Sequence, residues 1–375
     1  MTELSILFKR AKTGKVTQKR IWTGEEDGVA CIYRESGYVN GKLNTKKKFV
    51  RKGTNIGKSN ERNPMEQAEF VMGTMWQTDV DHNYCESVAE ALKPWKYVFP
   101  MLAKTIDKKK LPELPVYVQP KLNGMCAMRL AMGVPEWNYA GHTDLMSRER
   151  NILPVLSNIS AHLADVVELS YNTHGEVYKH GEELQDIVGA CKRHRPLTDE
   201  LEYWVYDIPI QDVPFKDRLT LLANVIPENH AVLKRCPTHL CETWDEVEKW
   251  RAHYIGLGFE GIIIRIPDGL YSYNDRSKML LKDKDFEDAE FIIEDYDYEE
   301  FDDNGTLRKL VIWICRANEK ETFRVRPKGN VANKENLYEN AAKQVGKPYT
   351  VRYLELSKTG VPIGNPVGEC IRDYE

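Results

Sequence analysis

Val116-Tyr117-Val118-Gln119-Pro120-Lys121-Leu122-Asn123-Gly124-Met125 holds one lysine between two extended runs. Val116 and Val118 alternate as strand residues do, Asn123-Gly124 is a strong short turn signal, and Met125–Arg129 resumes an extended run. A lysine in such a turn points in a fixed direction, which is what a nucleophilic amine needs. Lys-x-Asn-Gly is a short string, and by itself it describes an ordinary hairpin lysine more often than a catalytic one.

Outward from this stretch, residues 116 to about 288 mix strands and helices without a regular βαβα period. Glu202-Tyr203-Trp204, Val205-Tyr206-Asp207-Ile208-Pro209 and Gly261-Ile262-Ile263-Ile264-Arg265 read as strands. Leu156–Leu169, Arg218–Val225 and Trp244–Leu257 have helical spacing. The pattern predicts an α+β domain of antiparallel sheets. Further on the chain turns β-rich, with strands expected at Phe291–Ile293, Lys309–Cys315, Thr322–Arg326 and Tyr349–Glu355 and a helix over Asn333–Lys343. That spacing fits a five-stranded barrel interrupted by one helix, an OB-fold. The ten carboxylates of Glu287–Asp303 read as a solvated hinge.

Towards the N-terminus, Val29–Tyr33, Gly37–Gly41 and Lys48–Arg51 read as short strands of a small β domain, and Asn63-Pro64 opens a helix through Phe70, Met72 and Trp76. Gly53-Thr54-Asn55-Ile56-Gly57-Lys58-Ser59 looks like a phosphate loop, but it has three residues between its glycines where that loop has four. The predicted division is 1–97, a basic and possibly DNA-binding domain with its connector; 98–288; and 289–375.

Composition sets the remaining bounds. Hydrophobic residues make up 42% and charged residues 29%, and no apolar run is long enough for a membrane helix. The N-terminus lacks a signal-peptide pattern, and the eight scattered cysteines contain no Cys-x-x-Cys pair, so free thiols in a reducing cytoplasm are expected. Cys236, His239 and Cys241 are too few and too cramped for a zinc site. The net charge of −4 conceals a basic segment, 15 Lys+Arg against 6 Asp+Glu over residues 1–62. Such a segment fits either contact with a phosphate backbone or a solvated charged face.

Five further stretches carry candidate pocket residues: Ser147-Arg148, Gly175-Glu176-Val177-Tyr178, Tyr206-Asp207, Gly258-Phe259-Glu260-Gly261 and Leu281-Lys282-Asp283-Lys284. In the last, the two lysines alternate and so share one face of a strand. In this order and spacing, the motifs resemble those of ATP-dependent polynucleotide ligases, the small viral and phage DNA ligases above all. The resemblance covers residues 98–375. A weaker similarity links residues 1–97 to the N-terminal extension of some phage ligases.

The resemblance implies an adenylation domain followed by an OB domain, ATP and Mg²⁺ (or Mn²⁺) as cofactors, and nicked duplex DNA as partner. A monomeric enzyme is expected. Lys121 would attack the α-phosphate of ATP and become lysyl-AMP, the AMP would pass to the 5′-phosphate of a nick, and the 3′-hydroxyl would displace it. Lys282 and Lys284 would supply cations that disfavour a charged nucleophile and bind the α-phosphate. Glu260 would coordinate the metal, and Glu176 would contact the ribose or help order a metal-bound water. Tyr206 would stack on adenine, Gln119 would read the adenine edge, and Arg148 would grip the ribose or the nick 5′-phosphate. Arg265 would support the site through an ion pair, and Lys358 and Arg372 of the OB domain would contact pyrophosphate or DNA. Gly258 and Gly261 would allow close ligand approach.

Three positions depart from the family pattern. Cys126 stands where the family usually has arginine, with Arg129 on the opposite strand face. Asn123 replaces the commoner aspartate, and His174 replaces the aspartate before Gly175-Glu176. The rival readings are an RNA ligase with the same chemistry, an mRNA-capping guanylyltransferase, and a catalytically silent nick-binding protein.

Overall fold

The computed structural model describes residues 2–11, 13–93, 99–130, 145–168, 170–303 and 306–372. The chain forms two compact units, Met1–Pro94 with Phe286–Glu375, and Trp95–Asp285. Among the described residues no helix is long and apolar enough to cross a membrane.

The first unit begins with an antiparallel meander, β1 (Leu7–Arg10), β2 (Val16–Glu26), β3 (Val29–Tyr38) and β4 (Leu43–Val50). Helix α1 (Pro64–Asp81) packs Ala68 and Met72 against Ile21, Ala30 and Ile32. Its start is set locally: Pro64 lies at the N-terminus, and Asn63 and Glu66 form a reciprocal capping box. A short α2 (Val88–Ala91) follows. The sequence reading found α1 but missed β1 and β2, because the lysines and threonines of Val16–Glu26 mask its alternation. Ile21 and Thr23 point inward there while Lys19 reaches Asp79 of α1.

The second unit holds two five-stranded sheets. One runs β11-β10-β9-β7-β8: β7 (Met125–Arg129), β8 (Met146–Ser147), β9 (Thr173–Tyr178), β10 (Glu202–Asp207) and β11 (Leu233–Arg235). The other runs β12-β6-β13-β14-β5: β5 (Leu102–Thr105), β6 (Val116–Pro120), β12 (His239–Cys241), β13 (Gly261–Arg265) and β14 (Arg276–Lys284). Helices α3 (Ser157–Val166), α4 (Leu184–Lys192), α5 (Phe215–Val225) and α6 (Trp244–Gly256) complete it, with Thr243 and Glu246 forming the capping box of α6.

The Asn123-Gly124 turn therefore does not close a hairpin. It carries the chain from β6 in one sheet to β7 in the other, and Lys121 sits at that crossing. Gly124 is required there because a Cβ would lie 2.4 Å from the carbonyl oxygen of Val177. Gly261 is likewise explained by backbone: its φ is +144°, and a Cβ would lie 2.3 Å from the carbonyl oxygen of Asp283. Gly258 takes a φ of +89° just after α6, with nothing within 4 Å of a Cβ built there. Gly258 thus serves turn geometry and Gly261 strand packing.

Back in the first unit, a closed barrel runs β15-β16-β17-β21-β18, from β15 (Glu287–Asp303), β16 (Thr306–Arg316), β17 (Thr322–Pro327), β18 (Pro348–Tyr353) and β21 (Val367–Ile371). Helix α7 (Val331–Glu339) interrupts it, and β19 (Glu355–Leu356) pairs with β20 (Pro362–Ile363) beside it. Trp313, Val325, Tyr349 and Val351 fill its core. This is the predicted OB-type barrel, with one correction. Glu287–Asp303 is a barrel strand and no solvated hinge. Its outward carboxylates are matched by arginines: Asp297 by Arg324 at 2.8 Å, and Glu299 by Arg326 at 2.7 Å. Arg51 beside β4 pairs with Glu300 of the same strand.

Candidate active site

A cleft of about 220 Å³ lies between the two sheets of the Trp95–Asp285 unit. It draws its lining from both: Gln119, Lys121, Ile263 and Lys282 on one side, Cys126, His174, Glu176 and Tyr206 on the other. Sequence-distant motifs meet here because β6, β13 and β14 are hydrogen-bonded neighbours. Ile263 faces Gln119 on one flank and Lys282 on the other.

The ladder between β6 and β13 runs past the last paired strand residues and joins Lys121 to Glu260. Lys121 donates its N–H to the Gly261 carbonyl at 2.9 Å, and Glu260 donates its own to the Lys121 carbonyl at 3.1 Å. The side chains then meet: the Lys121 ammonium pairs with one Glu260 oxygen, and Lys284 Nζ takes the other at 3.0 Å. Burial pushes the Glu260 carboxyl up, and the two ammonium groups overcome this and hold it below the usual carboxylate range. Lys282 is displaced downward, by burial first and then by the charges of Lys284 and Lys121. Asp283 faces the other way, against Lys108 and Arg251.

Glu176 stands across the cleft on β9. Burial raises its carboxyl to about 7, against the opposing pull of Lys121 and with Glu260 adding to the rise. A raised folded-state value means that the charged form costs stability as pH climbs through the interval from 4.5 to about 7. Glu176→Gln is therefore expected to stabilise the protein above pH 7 and to change little below pH 4.5. The side chain keeps part of its surface open, so the gain is about 1–2 kcal/mol rather than the full linkage value. Denaturation midpoints compared at pH 5 and pH 8 check this, and equal shifts at both would refute it.

Behind the cleft lies a buried ion cluster. Asp207 receives Arg218 Nε at 2.7 Å and Arg265 Nη1 at 2.7 Å. Arg265 Nε also donates to Gln119 Oε1 at 2.8 Å, and Gln119 Nε2 donates to Thr238 at 2.9 Å. Arg265 thus has the supporting role expected of it. Gln119 lines the cleft, and the scaffold engages its amide at both ends. Tyr206 lines the cleft and makes an edge contact with His174, their centroids 4.6 Å apart. Arg148 reaches the rim with 55% of its side chain exposed and pairs with Glu149 at 2.9 Å.

Arg129 is a scaffold residue with no access to the cleft. Its guanidinium donates to the carbonyls of Leu163 and Val167 at 3.1 Å each and of Glu168 at 2.7 Å, closing the C-terminal end of α3. Cys236 lines the cleft, whereas His239 stacks on Trp250 with centroids 3.5 Å apart. In the barrel, Arg372 lies 3.4 Å from Glu290 and donates to Thr350.

Two contributors escaped the sequence reading. Arg276 lines the cleft and is fixed by a 2.6 Å bond to the Ala103 carbonyl; it lies on the same strand as Lys282, which was the available signal. Tyr271, in the irregular segment before β14, bonds His174 Nδ1 at 2.8 Å, and nothing in the sequence announces it.

Among the described residues no three His, Cys, Asp or Glu side chains converge as a metal cage. Glu260 and Glu176 are the carboxylates facing Lys121. Mg²⁺ is commonly held by one or two carboxylates together with waters and substrate phosphates, so this donor set fits that ion once a phosphate is present. Lys121, Arg148, Arg276 and Lys282 give the cleft the cations for such a phosphate.

A lysine amine at the junction of two sheets, paired with one carboxylate and facing a second across a cation-lined cleft, with an OB-type barrel in the same chain, defines a covalent nucleotidyltransferase. Residues 100–284 match the family described as ATP dependent DNA ligase domain. The DNA ligase of African swine fever virus (isolate Warthog/Namibia/Wart80/1980) is 27% identical over 370 residues, covering 93% of this chain and 85% of the viral protein. A solved Lig E DNA ligase superposes with a TM-score of 0.54 at 17% identity, over 73% of this chain and 99% of that one. The solved structure named Pmar-Lig_Pre. gives 0.61 at 13% identity, over 84% and 74%. Residues 100–284 thus form a domain of the ATP-dependent DNA ligase family, and the chain as a whole is similar to a viral DNA ligase.

Proposed function

We propose that this enzyme seals nicks bearing a 5′-phosphate and a 3′-hydroxyl in duplex DNA, with Lys121 as the adenylated residue. The observation that carries the assignment is the Lys121–Glu260–Lys284 arrangement, whose lysine Lys121 lines a cation-rich cleft. Lys121 Nζ attacks the α-phosphorus of ATP, the bond to the β-phosphate oxygen breaks, and pyrophosphate leaves. The amine must lose a proton before it attacks, and Glu260 is the carboxylate in contact with it. Lys282 and Arg276 face the phosphates and offset their charge, while Tyr206 and the apolar lining hold the base. Glu260 and Glu176 would hold Mg²⁺, which would supply positive charge to the transferred AMP phosphate. The same cations then serve AMP transfer to the 5′-phosphate and its displacement by the 3′-hydroxyl. Sealing assays on matched DNA and RNA nicks test the substrate: ligation of the DNA nick is expected, and ligation of the RNA nick alone would reassign the enzyme.

The N-terminal module is proposed to add contacts to duplex DNA. Lys46 and Lys48 are exposed at alternate positions of β4 and so share one face. Lys46→Ala with Lys48→Ala should weaken binding to a nicked duplex about threefold to tenfold at low salt and flatten the salt dependence by roughly two ion contacts. An unchanged slope in a salt titration would remove the module from the DNA interface.

A further inference from the structure

Two departures from the usual family sequence, Cys126 on β7 and His174 on β9, touch each other. Cys126 Sγ lies 3.4 Å from His174 Nε2. They belong to a longer chain of hydrogen bonds. The Met101 N–H donates to the Tyr271 hydroxyl at 3.2 Å, and Tyr271 meets His174 Nδ1 at 2.8 Å. His174 Nε2 meets the Tyr206 hydroxyl at 2.9 Å, and Tyr206 donates to Cys126 Sγ at 3.7 Å.

One direction of protons gives the imidazole and both hydroxyls of this chain a donor and an acceptor. If Tyr271 donates to Nδ1, then Nε2 carries the imidazole hydrogen and donates to Tyr206, whose own hydrogen is left for the sulfur. The opposite tautomer would have Nδ1 donating to Tyr271 and would leave the Tyr271 hydrogen with no acceptor in the chain. His174 is 3% exposed, and both of its ring nitrogens are engaged within this chain of bonds. An arginine at position 126 has only donors and could not accept from Tyr206, whereas a thiol can.

We propose that His174 is a positioning residue for nucleotide binding: the relay Met101–Tyr271–His174–Tyr206–Cys126 fixes the Tyr206 ring against the cleft, with Cys126 as its terminal acceptor. The proposal rests on the reading that Tyr206 packs against the base of ATP. Its phenol oxygen is then a tether, and the ring face is the ligand-binding element.

The test measures formation of the protein–AMP adduct by the full chain over a range of ATP concentrations. Tyr271→Phe removes one oxygen remote from the cleft lining and breaks the head of the relay. It should raise the KM for ATP about threefold to tenfold while kcat moves less than about twofold, the signature of lost ground-state binding. Tyr206→Phe keeps the ring, loses the tether and should reproduce that defect. The double variant should be no worse than either single one, because both cut the same chain. Tyr206→Ala separates the two layers of the argument. If it raises KM while both phenylalanine variants leave KM unchanged, the relay proposal is overturned and the stacking reading stands. If Tyr206→Ala leaves KM unchanged, the stacking reading itself fails and takes the relay with it. Cys126→Arg should match the phenylalanine variants, and a normal KM for it would remove the sulfur from the relay.

Discussion

Replacing Lys121 with alanine is expected to abolish transfer of label from α-labelled ATP to the protein, a loss of at least about 10⁴-fold, since it removes the amine that forms the bond to phosphorus. Two backbone hydrogen bonds fix Lys121 beside Glu260, and the side-chain pair sets its direction. Lys282 and Lys284 lie on β14 of the same sheet, but Lys284 is tied to Glu260, and Lys282 lines the cleft without contact to the Lys121 backbone bonds. Lys121→Arg should fail as completely, because a guanidinium stays protonated and cannot attack. Lys282→Ala should keep the label and lose rate, since it removes a stabilising charge and no bond-forming atom. The readout is labelled protein on a denaturing gel, with nucleotide-free enzyme as the starting material. Label persisting in Lys121→Ala would place the nucleophile elsewhere, and peptide mapping would then distinguish Lys282 from Lys284.

Much of this site was legible because each motif is a short strand or turn whose chemistry is local. Val116–Pro120 alternates, Asn123-Gly124 turns, and Lys282 and Lys284 share a strand face, so the lysines could be placed before any contact was known. What could not be read is what depends on partners far along the chain. Gln119 looked like a free amide until Arg265 was seen donating to it from 146 residues away. The acidic run Glu287–Asp303 read as solvent-exposed because its carboxylates are numerous. It is a strand because Ile293 points into the barrel core while Asp297 and Glu299 meet arginines two strands away. Strand β2 went unread for the related reason that a lysine paired beneath a helix, such as Lys19 with Asp79, looks in sequence like a surface charge.

The ion cluster behind the cleft yields the largest expected change in stability. Asp207 has no exposed side-chain surface, and Arg218 and Arg265 are 1% and 3% exposed. Burial alone would push the Asp207 carboxyl up; the two guanidinium groups overcome that and hold it below the usual range. Asp207→Ala removes the one anion between two buried cations and should cost about 3–5 kcal/mol. The melting midpoint of a unit this size should then fall by roughly 10 °C. Arg218 keeps acceptors in the carbonyls of Val213 and Gly269, so the larger share of the cost falls on Arg265, which has Gln119 as its other partner. A triple variant, Asp207→Leu with Arg218→Met and Arg265→Met, separates stability from function. Without buried charge it should regain most of the lost stability. It should still bind ATP poorly, since Gln119 and the strand bearing Tyr206 lose the groups that orient them. A loss below about 1 kcal/mol for Asp207→Ala in urea denaturation would mean that the carbonyl acceptors suffice, and the cluster could then be assigned no part in holding the cleft.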